Sequence, residues 1–353
     1  MSLKKAHIIL LAILHLTFTG CMKDDEWVKS QQTGKILGNG VFILNEGNFM
    51  YGNSTISFYD PKTHVVQNDF FTRVNGLPLG DVAQSMSIVD NLGYIVINNS
   101  GKIYVIDTSS GQYIGKITGL TSPRYIHISQ SEKAYITDLY DGKITIVNPK
   151  TYQITGYIPT PGHASTEQIV EWNGLLFVSC WSFDNTIVVI DTHTDKVIGE
   201  IKTGKQPGGL VLDKFNKIWT LCDGGWVRNG LNARIPMLQR IDPSTLKIDR
   251  SFTLATDGAP SRLAINGSGD SLIYINNGIW KMGVTQLTID PQPFISSKNH
   301  IYYSLAIDPH TSELYLSDAI DYQQQGVIYR YSPIGLKVDS FKTGIIPGSF
   351  CFK

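Results

Sequence analysis

The chain has 353 residues, 17% charged and 42% apolar, with 30 basic side chains balancing 30 acidic ones. That composition is too apolar for a disordered chain and carries no basic excess for a nucleic-acid partner. With 33 glycines it suits short strands and tight turns, and the length fits one domain only where a core is shared among repeats.

Residues 1–20 read as a leader. Lys4-Lys5 gives a positive start, and Ile8 to Phe18 is an apolar run too short to span a membrane. The run ends in Phe18-Thr19-Gly20-Cys21, which resembles the cleavage box of bacterial lipoproteins and makes Cys21 the expected lipidated residue. Lys23-Asp24-Asp25-Glu26 resembles the export signal of Bacteroides lipoproteins that reach the outer face of the outer membrane. The plainer readings are a secretory signal followed by a chance cysteine, and an ordinary solvated charge run. Losing Lys4 and Lys5 with the leader leaves 28 basic against 30 acidic residues, a charge of −2. Residues 21–39 form the lipidated end and a polar tether, which fully extended reaches at most about 60 Å. Several acyl chains on one cysteine make such anchoring stable.

From residue 40 to 353 the chain repeats one unit, clearest in the stretch TIVVIDTHTDKVIGEIKTGKQPGGLVL from Thr186 to Leu212. Two β-branched runs flank a turn whose carboxylate and hydroxyls can bond the backbone two residues on. The turn recurs at Asp60, Asp107, Asn148, Asp191 and Asp242, and in degenerate form at Gly283 and Ser332-Pro333, at spacings of 41 to 51 residues. Seven four-stranded units of that length predict an all-β, seven-bladed β-propeller. The first unit starts at its second strand, Val41–Asn45, while Pro347 to Phe352 matches the inner strands elsewhere. The C-terminal strand is therefore expected to complete blade one (3+1 closure), leaving no long open edge.

In an up-and-down blade the connections alternate between two faces, and here the faces differ. The lower turns are plain, whereas the upper loops hold Glu46 to Tyr51, Trp181 to Asp184, residues 223–236 with Trp226 and Arg228, and residues 318–326 with Tyr322 and Gln324. Arg124, Arg262 and Tyr302-Tyr303 enter that face from the other set of loops. The ends of the second strands read Asn45, Asn98, Asp138, Cys180, Cys222, Asn277 and Asp318, and capping of their own turns accounts for most of them. Each upper aromatic either packs under its own loop or faces a ligand. Cys180, Cys222 and Cys351 are expected to be free, since equivalent positions on adjacent blades exceed disulfide reach.

No helical H-E-x-x-H, no G-x-S-x-G, P-loop or C-x-x-C occurs, and the tryptophan docking motifs of quinone-dependent propellers and the WD dipeptide are absent. His163 and His300 lie three blades apart on upper loops, so neither a metal nor a catalytic role is expected of them. No enzyme activity, catalytic residue, metal or cofactor is expected.

The VIDTHTDKVIGEIKTGKQPGG unit resembles the YncE/YVTN-type seven-bladed propellers. FILNEGNFMYGNSTISFYDP, TSPRYIH, DAIDYQQQGVIYRYSP and GIIPGSFC resemble Bacteroides surface-exposed propeller lipoproteins, which in turn resemble the cobalamin-binding BtuG proteins. The resemblance implies a non-catalytic, outer-membrane, cell-surface lipoprotein that captures cobalamin (vitamin B12) as a bound ligand and passes it to a TonB-dependent transporter. A monomeric propeller is expected, and the near-neutral charge argues for no nucleic-acid partner. Cobalamin offers apolar faces and an amide fringe, so Trp181, Phe183 and Trp226 are expected on apolar ligand surface. Asn48, Arg228, Arg262 and Gln324 are expected on amides or phosphate, with Tyr51 and Tyr322 in either role. A siderophore or other chelate, a propeller lyase or lactonase, and a polymer-binding scaffold are the alternatives.

Overall fold

The computed structural model describes residues 38–129, 133–225, 235–256, 258–298 and 300–353. The leader, Cys21, Lys23 to Glu26, Trp226 and Arg228 lie outside the described residues. Seven antiparallel four-stranded sheets form the chain into a seven-bladed propeller. The inner strands, A, of blades two to seven are Ala83–Val89, Pro123–Ile128, Thr166–Trp172, Pro207–Leu212, Ser261–Ile265 and Tyr302–Ile307. Blade one takes its inner strand from the C-terminus, in the order Pro347–Phe352, Val41–Asn45, Thr55–Asp60, Val65–Gln67.

Burial explains why the four strands of one blade are written differently. Strand B of blade four, Leu175–Cys180, and strand C, Thr186–Asp191, are covered on both faces by neighbouring blades and read as near-continuous apolar runs. Strand D, Lys196–Lys202, alternates between exposed and partly covered positions, as an outer edge should. The core is divided into wedges between adjacent blades. Ile144, Ile158, Leu176, Val178 and Val188 fill the wedge between blades three and four.

At the seam between blades seven and one, Val41, Ile43, Tyr59, Tyr315 and Ile328 pack together with Phe341, Phe350 and Phe352 against them. Tyr59 stacks on Phe341 with ring centres 4.0 Å apart, donates to Asp339 at 2.6 Å and accepts from Arg330 at 2.8 Å. The strands Val41–Asn45 and Pro347–Phe352 thus close the ring.

One element escapes the repeat. After the short outer strand of blade one, Phe70–Asn75 forms a single helical turn and buries Phe70 and Phe71 in the wedge between blades one and two. Asn75 holds it down, donating to the Phe71 and Gly111 carbonyls and accepting from the Tyr113 N–H at 2.7 Å.

Candidate functional site

Every inner strand carries a register shift at its upper end, where it pairs with strand B. A bulge of this kind re-aims a side chain that the regular pleat would send elsewhere. The residues passed over by the pairing include, in ring order from blade one, Gly348, Gln84, Arg124, Glu167, Gly208, Arg262 and Tyr303. Together they rim the upper end of the central channel. Arg262 holds a φ of 56° within its bulge, a left-handed backbone that costs a non-glycine residue of the order of 1 kcal/mol or more.

Two hydrogen-bonded arcs follow. In the first, spanning blades two to four, Arg124 donates to Gln84 at 2.5 Å and to Glu167 at 2.8 Å. Burial opposes the Arg124 charge, but Glu167 and the surrounding groups win and raise its pKa. In the second, spanning blades six, seven and one, Tyr303 donates to Glu46 at 2.8 Å and Arg262 lies 3.8 Å from the same carboxylate. Arg262 also donates to the Tyr303 carbonyl at 3.4 Å and lies over the Tyr303 ring. Burial pushes the Glu46 carboxyl above its ordinary range, against the pull of Arg262 and Tyr303. Although it sits in a loop, Glu46 is thus a largely buried carboxylate.

The two glycines of the ring are filled from above. A Cβ on Gly348 would strike the Glu46 carboxylate, and one on Gly208 would meet the Trp181 indole at 3.6 Å. Trp181 thereby reaches the mouth of blade five from the loop of blade four. Its indole N–H donates to Asp223 at 3.3 Å, and Gln206 donates to the same oxygen at 3.3 Å.

These groups enclose a funnel of about 380 Å³, lined among others by Arg124, Gln168, Trp181, Arg262, Tyr303 and Tyr322. A second cavity of about 210 Å³ continues it, sharing Tyr125, Gln168 and Arg262 with the first. Of the residues expected from the sequence, the fold brings Trp181, Arg262 and Tyr322 together on the funnel wall. Asn48 stands behind, donating to the Tyr322 carbonyl at 2.8 Å. Gln324 closes its own loop on Asp321 at 3.1 Å. Tyr51 and Phe183 are 79% and 74% exposed on the rim, off the lining, with Phe49 and Met50 beside Tyr51.

Gln84, Glu167, Gln168 and Gln206 join the site without having stood out in the sequence, and Arg124 and Tyr303 join it without an expected role. A signal was available. Aligning the inner strands as AQSM, PRYI, TEQI, PGGL, SRLA, YYSL and PGSF puts all seven ring residues in the second column. The reading of the strand-B ends also shifts: the residues paired with the start of strand A in blades two and six are Ile97 and Ile275, so Asn98 and Asn277 lie beyond them. Asp138 and Asp318 do cap their turns, accepting from the N–H of Tyr140 and of Ile320. Asn45 instead bonds Thr55 and Ser57 on the next strand. Cys180, Cys222 and Cys351 are free, and burial pushes the thiols of the first two up to about 12.

The fold recurs in solved structures at low identity. A quinonprotein alcohol dehydrogenase-like protein from Bacteroides thetaiotaomicron is 16% identical with a TM-score of 0.67, covering 89% of this chain and 79% of that one. The periplasmic gluconolactonase of Pseudomonas aeruginosa is 12% identical, TM-score 0.67, covering 89% and 99%. A functionally unknown protein from Desulfotomaculum acetoxidans is 14% identical, TM-score 0.66, with the same coverage of 89% and 99%. No curated protein matches the sequence. The profile of a family described as a domain of unknown function, DUF5074, matches residues 39–338, and the chain therefore belongs to that β-propeller family.

Proposed function

We propose that this propeller is a non-catalytic capture protein that takes a large amphiphilic ligand across its upper mouth, cobalamin being the ligand that the sequence resemblance implies. The observation that carries the reading is the funnel itself. Indole and phenol rings stand beside Gln168, Gln206 and a guanidinium whose carboxylate partner is 3.8 Å away, under a rim of exposed apolar side chains. Such a site is apolar in bulk and polar in detail. A funnel of about 380 Å³ suits a drug-sized ligand or one arm of a larger one. A corrinoid would therefore cap the mouth, its macrocycle on the rim and one amide or phosphate arm directed at Arg262. Lipidation at Cys21, display on the cell surface and transfer to a TonB-dependent transporter belong to the same proposal.

A hydrolase or lyase reading has one observation in its favour, the raised pKa of the buried Glu46 carboxyl. Glu46 is, however, not among the funnel-lining residues, and it accepts from Tyr303. It is better suited to positioning Arg262 than to meeting a substrate. The test is gel filtration of the Cys21→Ser chain mixed with cyanocobalamin, read at visible absorbance. Co-elution of colour with protein is expected, and free elution of all the colour sinks the cobalamin assignment. Membrane fractionation of Cys21→Ser against the parent chain tests the anchor, which predicts that only the parent sediments with membranes.

A further inference from the structure

His163 precedes the inner strand of blade four, Cys180 ends that blade's strand B, and Asp184 closes the loop that follows. A ring nitrogen of His163, the Cys180 sulfur and an Asp184 carboxylate oxygen all lie within 4.8 Å of one another. His163 Nδ1 is 2.6 Å from Asp184 Oδ2, and its Nε2 is 3.3 Å from Glu200, whose other oxygen accepts from Lys202 at 3.0 Å. Cys180 is fully buried and His163 nearly so. Among the described residues this is the one group of histidine, cysteine and acidic side chains with metal-ligand spacing.

We propose that His163 Nδ1, Cys180 Sγ and Asp184 Oδ form a binding site for one soft divalent cation, best matched by Zn²⁺. Bond lengths near 2.3 Å to sulfur and about 2.0–2.2 Å to nitrogen and oxygen place tetrahedral zinc ligands about 3–4 Å apart. A small splaying of the His163–Asp184 hydrogen bond reaches that geometry. Thiolate and carboxylate balance the two positive charges, the thiol proton leaving to water as the Zn–S bond forms. Glu200 already stands where a zinc-bound histidine requires a carboxylate, accepting from its distal N–H. Cys222 occupies the equivalent place in blade five, but its sulfur is paired with Gln239 and no histidine joins it.

The consequence reaches the funnel. Cys180 and Asp184 are the two ends of the loop that carries Trp181 and Phe183, so a metal on both clamps that loop to the preceding blade connection. The clamp is independent of what the funnel binds.

The experiment uses the full chain with Cys21→Ser, stripped with chelator, reloaded with Zn²⁺ and desalted, together with Co²⁺ titration followed by absorbance. One zinc retained per chain, a raised melting temperature and a cobalt–thiolate band in the near ultraviolet are expected. Cys180→Ser should abolish the band and Asp184→Asn the retained zinc, whereas Cys222→Ser should keep both. Glu200→Gln should weaken zinc binding about 10- to 100-fold without changing the stoichiometry. A parent chain that retains no zinc, or a thiolate band that survives Cys180→Ser, overturns the site and leaves His163 as a hydrogen-bonded hub between two carboxylates.

Discussion

The two faces of the ring hold polar groups of similar kind to opposite ends. On the lower face the Asp or Asn that opens a turn is satisfied by its own sequence neighbours. Asp60, Asp107, Asn148, Asp191, Asp242 and Asp308 each accept from the backbone N–H two residues on. On the upper face Asp138 and Asp318 cap their turns in the same way, but the ring at the mouth is held across blades: Arg124 joins blades two, three and four, and Glu46 in blade one meets Arg262 and Tyr303 across the closing seam. The pKa shifts follow burial: the Gln324 and Gln323 N–H groups lower the Asp321 carboxyl in its exposed upper loop. Lys217 and Ser244 hold the Asp242 carboxyl at about 2, and the His193 N–H and Thr194 lower that of Asp191. Burial raises those of Glu46 and Asp138. A face built for turns minimises the cost of each charge locally, whereas the mouth keeps strained and desolvated groups that only a ring of seven blades can hold together.

The largest effect should come from breaking the frame that carries both faces. Deleting residues 347–353 removes the inner strand of blade one, its ladder with Val41–Asn45 and the Phe350 and Phe352 rings from the seam. At about 1.5–3 kcal/mol for each well-buried apolar side chain, and less for these half-buried ones, the loss should consume most of a typical margin of about 5–15 kcal/mol. Circular dichroism melting should show early or non-cooperative unfolding, and an unchanged melting temperature would refute the closure.

The next effect separates the faces by ligand binding. Trp181→Ala removes the ring that fills the space over Gly208 and should weaken cobalamin binding at least about tenfold, as expected for a central aromatic anchor. Lys133→Ala, which on the lower face breaks a 2.7 Å pair with Asp195, should leave affinity unchanged in calorimetry. Sensitivity to Lys133 with indifference to Trp181 would put the ligand on the wrong face for this proposal.

Within the upper mouth, Arg262→Gln should cost more affinity than Arg124→Gln. Arg124 is paired with Glu167 at 2.8 Å, while Arg262 keeps 3.8 Å from Glu46 and is freer to meet an anionic or amide arm. Equal losses in a side-by-side titration would remove the distinction between the two arcs.

The smallest effects are opposite in sign between the faces and are read as melting temperature against pH. A carboxyl raised by folding destabilises once pH climbs above its unfolded value, about 4.3 for glutamate. Glu46→Gln should therefore raise the melting temperature at pH 7, with the gain vanishing as pH falls below about 4. Asp242 is the reverse case: its depressed pKa stabilises above about 3.9, and that stability is lost as pH falls towards the folded value of about 2. Asp242→Asn should lower the melting temperature at pH 7 and converge with the parent in strong acid. Shifts of the same sign for both variants would show that the two faces are not held in different ways.

Much of this molecule was determined locally and so can be read from the chain alone. Strands B and C are apolar because both faces are covered, their turns carry Asp or Asn because the next N–H groups need an acceptor, and the missing first inner strand is visible as an unpaired motif at Pro347 to Phe352. The repeat, the blade count and the closure follow from those local rules. The mouth does not, because its geometry depends on where seven separated strands converge. Gln84, Arg124, Glu167, Arg262 and Tyr303 share a column in the repeats, but only the bulges turn that column into a ring. The vacancies over Gly208 and Gly348 are filled by Trp181 and Glu46, whose loops belong to a different blade or strand. Likewise His163 and Asp184 are separated by 21 positions along the chain and 2.6 Å in space. Local sequence sets strands and turns through backbone preference and burial, but which side chains meet at the axis is settled by the packing of blade against blade.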